Sequence, residues 1–324
     1  MSDRPAAIAA IRVSRAGLVL GGLGLASAIF LIARLFESWR VTSRAASHQI
    51  SIFGQRLSYP TANADAIVIV ILAALGSVVA ARALSGAVRE LAASRRFHQR
   101  LAREHPQSLY GALLIDDTHP RAFCAGLLRP RVYLTTGALA MLDDDARNAV
   151  LAHERHHARH HDPLRLAAGR VLARALFFLP ELGDLVDHQQ ALAELGADES
   201  AVNAAPGNRS ALARAMLSFS ATSPTGIDSA RIDYLLGEPP SWRFPALLCV
   251  VAATVITLLV TVAVLAGQLA NGSATLAPPF LSRQPCVVVL AAIPTVLGII
   301  ATINRRRARW RSSPPSFRRS ELLG

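Results

Sequence analysis

The stretch Leu151-Ala152-His153-Glu154-Arg155-His156-His157 decides how the rest of the chain is read. It fits H-E-x-x-H, and on a helix of 3.6 residues per turn this spacing stacks His153 and His157 on one face, where both imidazoles can reach one ion. Glu154 lies about 100° round the helix from His153, turned toward the same cavity without joining the ligands. There it can take a proton from a metal-bound water. Zinc, one ion per chain, suits such a set, because two imidazoles and a carboxylate leave a fourth position for water. The bland alternative is a histidine-rich exposed helix, His153 to His161, that binds metal loosely or not at all. His156 and His160 fall off the ligand face and read as solvated or supporting groups. His161 is left out because the helix is ending at Asp162-Pro163.

A third ligand has to come from elsewhere, and Ala193-Glu194-Leu195-Gly196-Ala197-Asp198-Glu199-Ser200-Ala201 offers one in a helical context. Glu194 and Asp198 share a face. Glu194 can complete the coordination set, while Asp198 accepts a hydrogen bond from a ligand imidazole and fixes its tautomer. Alone, an E-x-x-x-D pair reads as a solvated acidic face. Beside the upstream motif the balance reverses.

Around these motifs, residues 85–243 carry Gly, Pro and Asp punctuation and mixed periodicity. Leu109 to Ile115 reads as a short strand and Arg131 to Thr135 as a second, with an edge open to an extended substrate. Asp143 or Asp144 makes an N-cap for a helix running to about His161. Leu164 to Leu179 is helical up to Pro180 and apolar enough to lie against a bilayer. A further helix is expected over Asp187 to Val202.

The flanks are a different material. Of 324 residues, 52% are hydrophobic and 17% charged, which excludes a disordered or collagen-like chain. Four apolar runs match the roughly 17–25 residues that cross a bilayer, giving transmembrane helices at 16–36, 66–84, 244–268 and 284–304. The first has a rival reading as a signal peptide, but its apolar stretch is long and its small-x-small site lies in mid-run. An uncleaved anchor is expected. The net charge of +12, carried entirely by arginine, clusters beside these runs with no interleaved aromatics, so nucleic-acid binding is not expected. Cys124, Cys249 and Cys286 are too scattered for a disulfide framework and read as buried small hydrophobes. Arginines crowd the 1–15 tail, the segment from Arg89 to Arg103 and the basic 305–324 tail, which places both termini and the 85–243 domain in the cytoplasm of a bacterial cell.

His153-Glu154-x-x-His157 followed by Glu194-x-x-Ala197-Asp198 resembles the gluzincin membrane metallopeptidases, both the BlaR/MecR-type sensor-transducers and the HtpX/CAAX-protease type. Three features favour the former: the run from Phe123 through Gly126-Leu127-Leu128-Arg129-Pro130 to Leu134, similar to that family's Gly-(x)3-Pro strand; the short interval between the motifs; and Asp162-Pro163. Arg231-Ile232-Asp233-Tyr234-Leu235-Leu236 is similar to the segment that closes the domain. The resemblance implies a multi-pass α-helical membrane protein with a mainly α, α+β zincin-like metallopeptidase domain. A penicillin-binding sensor domain after the last span is not expected, and a β-lactam receptor role is not carried over. Asp162 is given only a helix-ending role.

The implied function is a zinc metalloendopeptidase with Glu154 as the base, His153, His157 and Glu194 as ligands and Asp198 supporting them. It would be a regulatory protease acting on a cytoplasmic transcriptional repressor. Alternatives are a broad-choice quality-control protease of membrane proteins and a non-catalytic zinc-bound signalling protein. A reporter fused after Arg103 should lie inside the cell; one exposed to the outside would reverse the topology.

Overall fold

The computed structural model describes residues 5–41, 49–52, 55–58, 64–205, 207–220, 229–238, 242–270 and 274–276. In chain order the elements are α1 (Pro5–Ser38), β1 (Trp39–Val41), β2 (Gln49–Ile52), β3 (Gln55–Ser58), α2 (Ala64–Arg103), β4 (Gln107–Leu109), β5 (Ala112–Ile115), β6 (Ala122–Ala125) and β7 (Arg131–Thr135). They continue with α3 (Thr136–Met141), α4 (Asp144–His160), α5 (Asp162–Ala175), α6 (Glu181–Val202), α7 (Asn208–Ser220), α8 (Ser229–Leu236), α9 (Ala246–Ala270) and β8 (Ala274–Leu276). The chain divides into two compact units. Met1–Leu35 with Val68–Ala266 forms one and holds the site; Phe36–Ile67 with Gly267–Gly324 forms the other, where β1 pairs with β8 and β2 with β3.

Among the described residues three stretches are long and apolar enough to cross a membrane: Ala6–Leu35, Ile67–Arg103 and Ala246–Leu269. The expected fourth span, 284–304, lies outside the described residues, as do the 305–324 tail and Cys286. Two spans belong to longer helices than the apolar runs alone indicated. α1 starts at Pro5, and α2 continues as a single helix of 40 residues to Arg103. Nothing breaks α2 after its apolar half, because residues 85–103 are rich in the helix formers Ala and Arg and contain no proline.

Spans and domain share one apolar core. Val13 and Leu20 of α1, Val79 of α2, Leu182, Leu185 and Leu192 of α6, and Ile256 of α9 belong to a single buried cluster. The contact between α1 and α6 is close enough to need a glycine: a Cβ on Gly196 would stand 3.1 Å from the Cα of Ala7. At that end the Ala6 N–H donates to Glu199 Oε2 at 3.2 Å, so a buried carboxylate satisfies an orphan amide in the first turn of α1.

The sheet of the domain has strand order β4-β5-β7-β6. The reading of Leu109 to Ile115 as one strand is corrected here, since the chain reverses at Tyr110-Gly111, both with positive φ, and β4 pairs antiparallel with β5. That two-residue turn matches the right-handed twist of the flanking strands. The expected open edge at Arg131 to Thr135 is also corrected. β7 is interior, parallel to β5 on one side and antiparallel to β6 on the other, and the free edge beside α4 belongs to β6. Gly126-Leu127-Leu128-Arg129-Pro130 is the loop joining β6 to β7. A Cβ on Gly126 would lie 2.5 Å from the Arg129 carbonyl oxygen. Cys124 and Cys249 are half-buried, less enclosed than core hydrophobes would be.

Thr135 ties this sheet to the helices. It is 1% exposed and caps α3; its Oγ1 accepts from Arg121 N at 2.9 Å and Ala138 N at 3.2 Å and donates to His119 O at 2.8 Å. Valine has the same shape but strands all three partners. Thr135→Val should cost about 2–3 kcal/mol and lower the melting temperature of the detergent-solubilised protein by about 5–10 °C. An unchanged melting temperature would show that these bonds carry no stability.

Candidate active site

The site is built on α4, α5, α6 and α8. α4 begins where the Asp143 side chain accepts from Ala146 N at 2.7 Å, with Asp144 and Asp145 in its first turn facing the positive end of the helix dipole. It ends at His161, whose left-handed φ of 55° turns the chain straight into α5. Pro163 suits the start of α5 because the first turn has no use for its missing N–H. This tight reversal carries Asp162 back beside the preceding helix. Its position corrects the purely helix-ending role expected of it: His157 Nδ1 donates to Asp162 Oδ2 at 2.8 Å.

His153 and His157 project from one face of α4, nearly buried, with their Nε2 atoms 3.2 Å apart. Glu194 reaches them from α6, with Oε2 3.4 Å from His153 Nε2 and Oε1 3.6 Å from His157 Nε2. Asp198, one turn further on α6 and fully buried, places Oδ1 2.8 Å from His153 Nδ1, off the axis of an ideal hydrogen bond. Each imidazole therefore has a carboxylate on its Nδ1 side and turns Nε2 inward. The two Nε2 atoms and the Glu194 carboxylate fit a metal. Ligand bonds of 2.0–2.2 Å in a tetrahedron imply separations of about 3.4 Å between donors, and the Nε2 pair at 3.2 Å, with one Glu194 oxygen 3.4 Å from His153 and the other 3.6 Å from His157, is close to that. His153, His157 and Glu194 can thus hold one ion.

Two carboxylates in this cavity have opposite character. Burial raises Glu154 above the ordinary carboxylate range, and neighbouring Glu194 adds to that, while His153 and His157 pull the other way. Burial acts against ionisation of Glu194 too, but there the bond to His153 and the charges of His153, His157 and Arg231 win and bring it down to about 2. The strand β6 runs beside this cavity. Cys124 at its middle is pushed up to about 12 by burial and by the charges of Glu154 and Asp162.

Arg231 was not singled out as a site residue. It enters from α8, with Nη1 2.9 Å from Glu194 Oε2, Nε 2.7 Å from Asp198 Oδ2 and Nη2 2.9 Å from Asp198 Oδ1. No local spacing ties it to carboxylates more than thirty residues upstream; only the similarity of the segment at Arg231 to a domain-closing segment pointed there. For Asp162 the signal was present, five residues after a ligand histidine and ahead of a proline. His156, expected off the ligand face, is buried there and stacks on His160 with ring centroids 4.0 Å apart.

Donors spaced for zinc beside an acidic side chain, on helices packed against membrane spans, define the class of membrane metallopeptidases. The sequence model of peptidase family M48 matches residues 62–229, just over half of the chain, and the chain belongs to that family. It is accordingly a metalloendopeptidase, of a family whose members are metal-dependent, typically on zinc. No solved structure matches it.

The His153–Glu194 pair has a pH signature. His153 is raised to about 10: burial alone would lower it, but the contacts with Asp198 and Glu194 and the charge of Glu154 outweigh that. Its folded value exceeds the ordinary 6.5, so its contribution to stability is full below 6.5 and disappears as pH rises through about 10. Glu194 is depressed from 4.5 to about 2, so its contribution is full above 4.5 and disappears as pH falls through about 2. The melting temperature of chelator-treated protein should therefore peak between about pH 4.5 and 6.5, and Glu194→Gln should flatten the acid side. An identical profile in the variant would mean that the pair does not form.

Proposed function

We propose that this protein hydrolyses peptide bonds of protein substrates at the cytoplasmic face of a bacterial membrane. The ligands of one zinc ion are His153, His157 and Glu194, and Glu154 is the general base. The observation that carries the reading is the convergence of two Nε2 atoms and the Glu194 carboxylate at separations close to those around a tetrahedral ion. Three protein donors leave such an ion one position open, which is the mark of a catalytic and not a structural site. When bound, zinc supplies Lewis acidity and a water that ionises near neutral pH. Glu154 would accept a proton from the attacking water at its carboxylate and pass it to the leaving amine. Its raised affinity for protons suits the second half of that task. Asp162 and Asp198 hold the imidazoles with Nε2 toward the ion. The free edge of β6 lets an extended substrate add as a further strand.

Topology follows from arginine placement, which supports four spans with both tails and the 85–243 domain inside. The resemblance to BlaR/MecR-type transducers supports a regulatory endopeptidase whose substrate is a cytoplasmic repressor. A second reading, surveillance of many membrane proteins, is favoured by the β6 edge. Strand addition recognises backbone, so it selects extended conformation before side-chain sequence. A non-catalytic scaffold gives way to membership of a peptidase family.

Glu154→Gln should lower proteolysis by about 10²–10⁴-fold while retaining equimolar zinc. The same variant, used as a trap in cells, should hold one repressor-like protein if the enzyme is regulatory and many membrane proteins if it is surveillant. Undiminished cleavage would remove Glu154 from the mechanism.

A further inference from the structure

Arg231 meets two carboxylates at once. Its Nε and Nη2 form a fork onto both oxygens of Asp198, and its remaining nitrogen, Nη1, lies on Oε2 of Glu194. The side chain is largely enclosed, with α8 packed on α6 and α7 and Met216 Sδ 3.9 Å from Nη2. A guanidinium cannot deprotonate in a protein and is planar, so it fixes direction as well as charge.

We propose that Arg231 is a positioning residue for the metal site, holding Oε2 so that the Glu194 carboxylate keeps one orientation toward the two imidazoles. Taking His153, His157 and Glu194 as ligands, the inference assigns Arg231 two tasks. By holding Oε2 it keeps the Glu194 carboxylate from turning to chelate an ion through both oxygens, which would fill the position needed for water. By holding both oxygens of Asp198, which has no solvent exposure, it also fixes the group that faces His153 Nδ1. Lysine would keep the charge but lose the fork, because an ammonium is a point donor and cannot align two carboxylates together. Charge and geometry can therefore be separated.

The test is cobalt titration of the full-length protein in detergent against a competing chelator, with the visible spectrum recorded at saturation. Thermal melts confirm that each variant is folded at the titration temperature. Wild type should give the intense absorption of a four-coordinate ion. Arg231→Ala should bind cobalt about 10–100-fold more weakly and give the weaker bands of a five-coordinate ion. Arg231→Lys, the variant expected to keep its fold best, should recover melting temperature but not the four-coordinate spectrum. A lowered melting temperature with unchanged affinity and spectrum in both variants would make Arg231 merely structural and overturn the proposal. His157→Ala is run alongside: loss of cobalt binding supports the ligand reading on which the proposal rests, and undiminished binding removes that reading and the proposal together.

Discussion

Negative charge gathered around two imidazoles is the constraint from which this domain is built. Glu154, Asp162, Glu194 and Asp198 approach His153 and His157 in a half-closed space where water cannot screen them well. Such a cluster holds together only if positive charge enters it. Part comes from Arg231 and, in the metal-free state, part from a proton on His153. A divalent cation would replace that proton with a stronger charge at the point where the donor atoms converge. The cluster that is awkward for folding is thus the one suited to grip an ion.

The membrane helices are part of this device. Leu192 and Ala193 of α6 lie in the core shared with α1, α2 and α9, and the next residue, Glu194, faces the histidines. A few residues on, Gly196 and Glu199 receive the first turn of α1. The helix that carries one wall of the site is therefore held on its other faces by a span. A displacement of α1 along its axis would press on Gly196, where no side chain can yield. The candidate spans and the helix that carries Glu194 are in this way packed into one core.

What could be read from sequence followed from local geometry. H-E-x-x-H and E-x-x-x-D each concern residues one helical turn apart, so periodicity alone brings them to one face. The helix cap at Asp143 obeys an equally local rule. The contacts of Arg231 depend on how α8 returns over α6, and no spacing along the chain encodes that. The turn at Tyr110-Gly111 was hidden because tyrosine rarely adopts a left-handed backbone. The open edge belongs to another strand for a related reason: the residues Val132, Tyr133, Leu134 and Thr135 mark β7 as a strand but say nothing about its neighbours. β6 is only four residues long, and all four are half-buried, so it gave no alternating signal.

The division of labour between the two glutamates can be argued from environment. Both sit in the same cavity and both lose solvation there. Glu194 touches both imidazoles and a guanidinium, so its charged form is favoured despite burial. A carboxylate held permanently ionised makes a good ligand and a poor proton acceptor. For Glu154 burial and the neighbouring negative charge outweigh the imidazoles, and its proton affinity rises. A carboxylate whose charge is costly takes up a proton readily and can deliver it to an amine leaving group. Environments that drive two like groups in opposite directions are how acid–base roles are set apart at neutral pH. On the proposed reading the fold makes that separation by pairing Arg231 directly with Glu194 at 2.9 Å, whereas Glu154 feels its charge only through space.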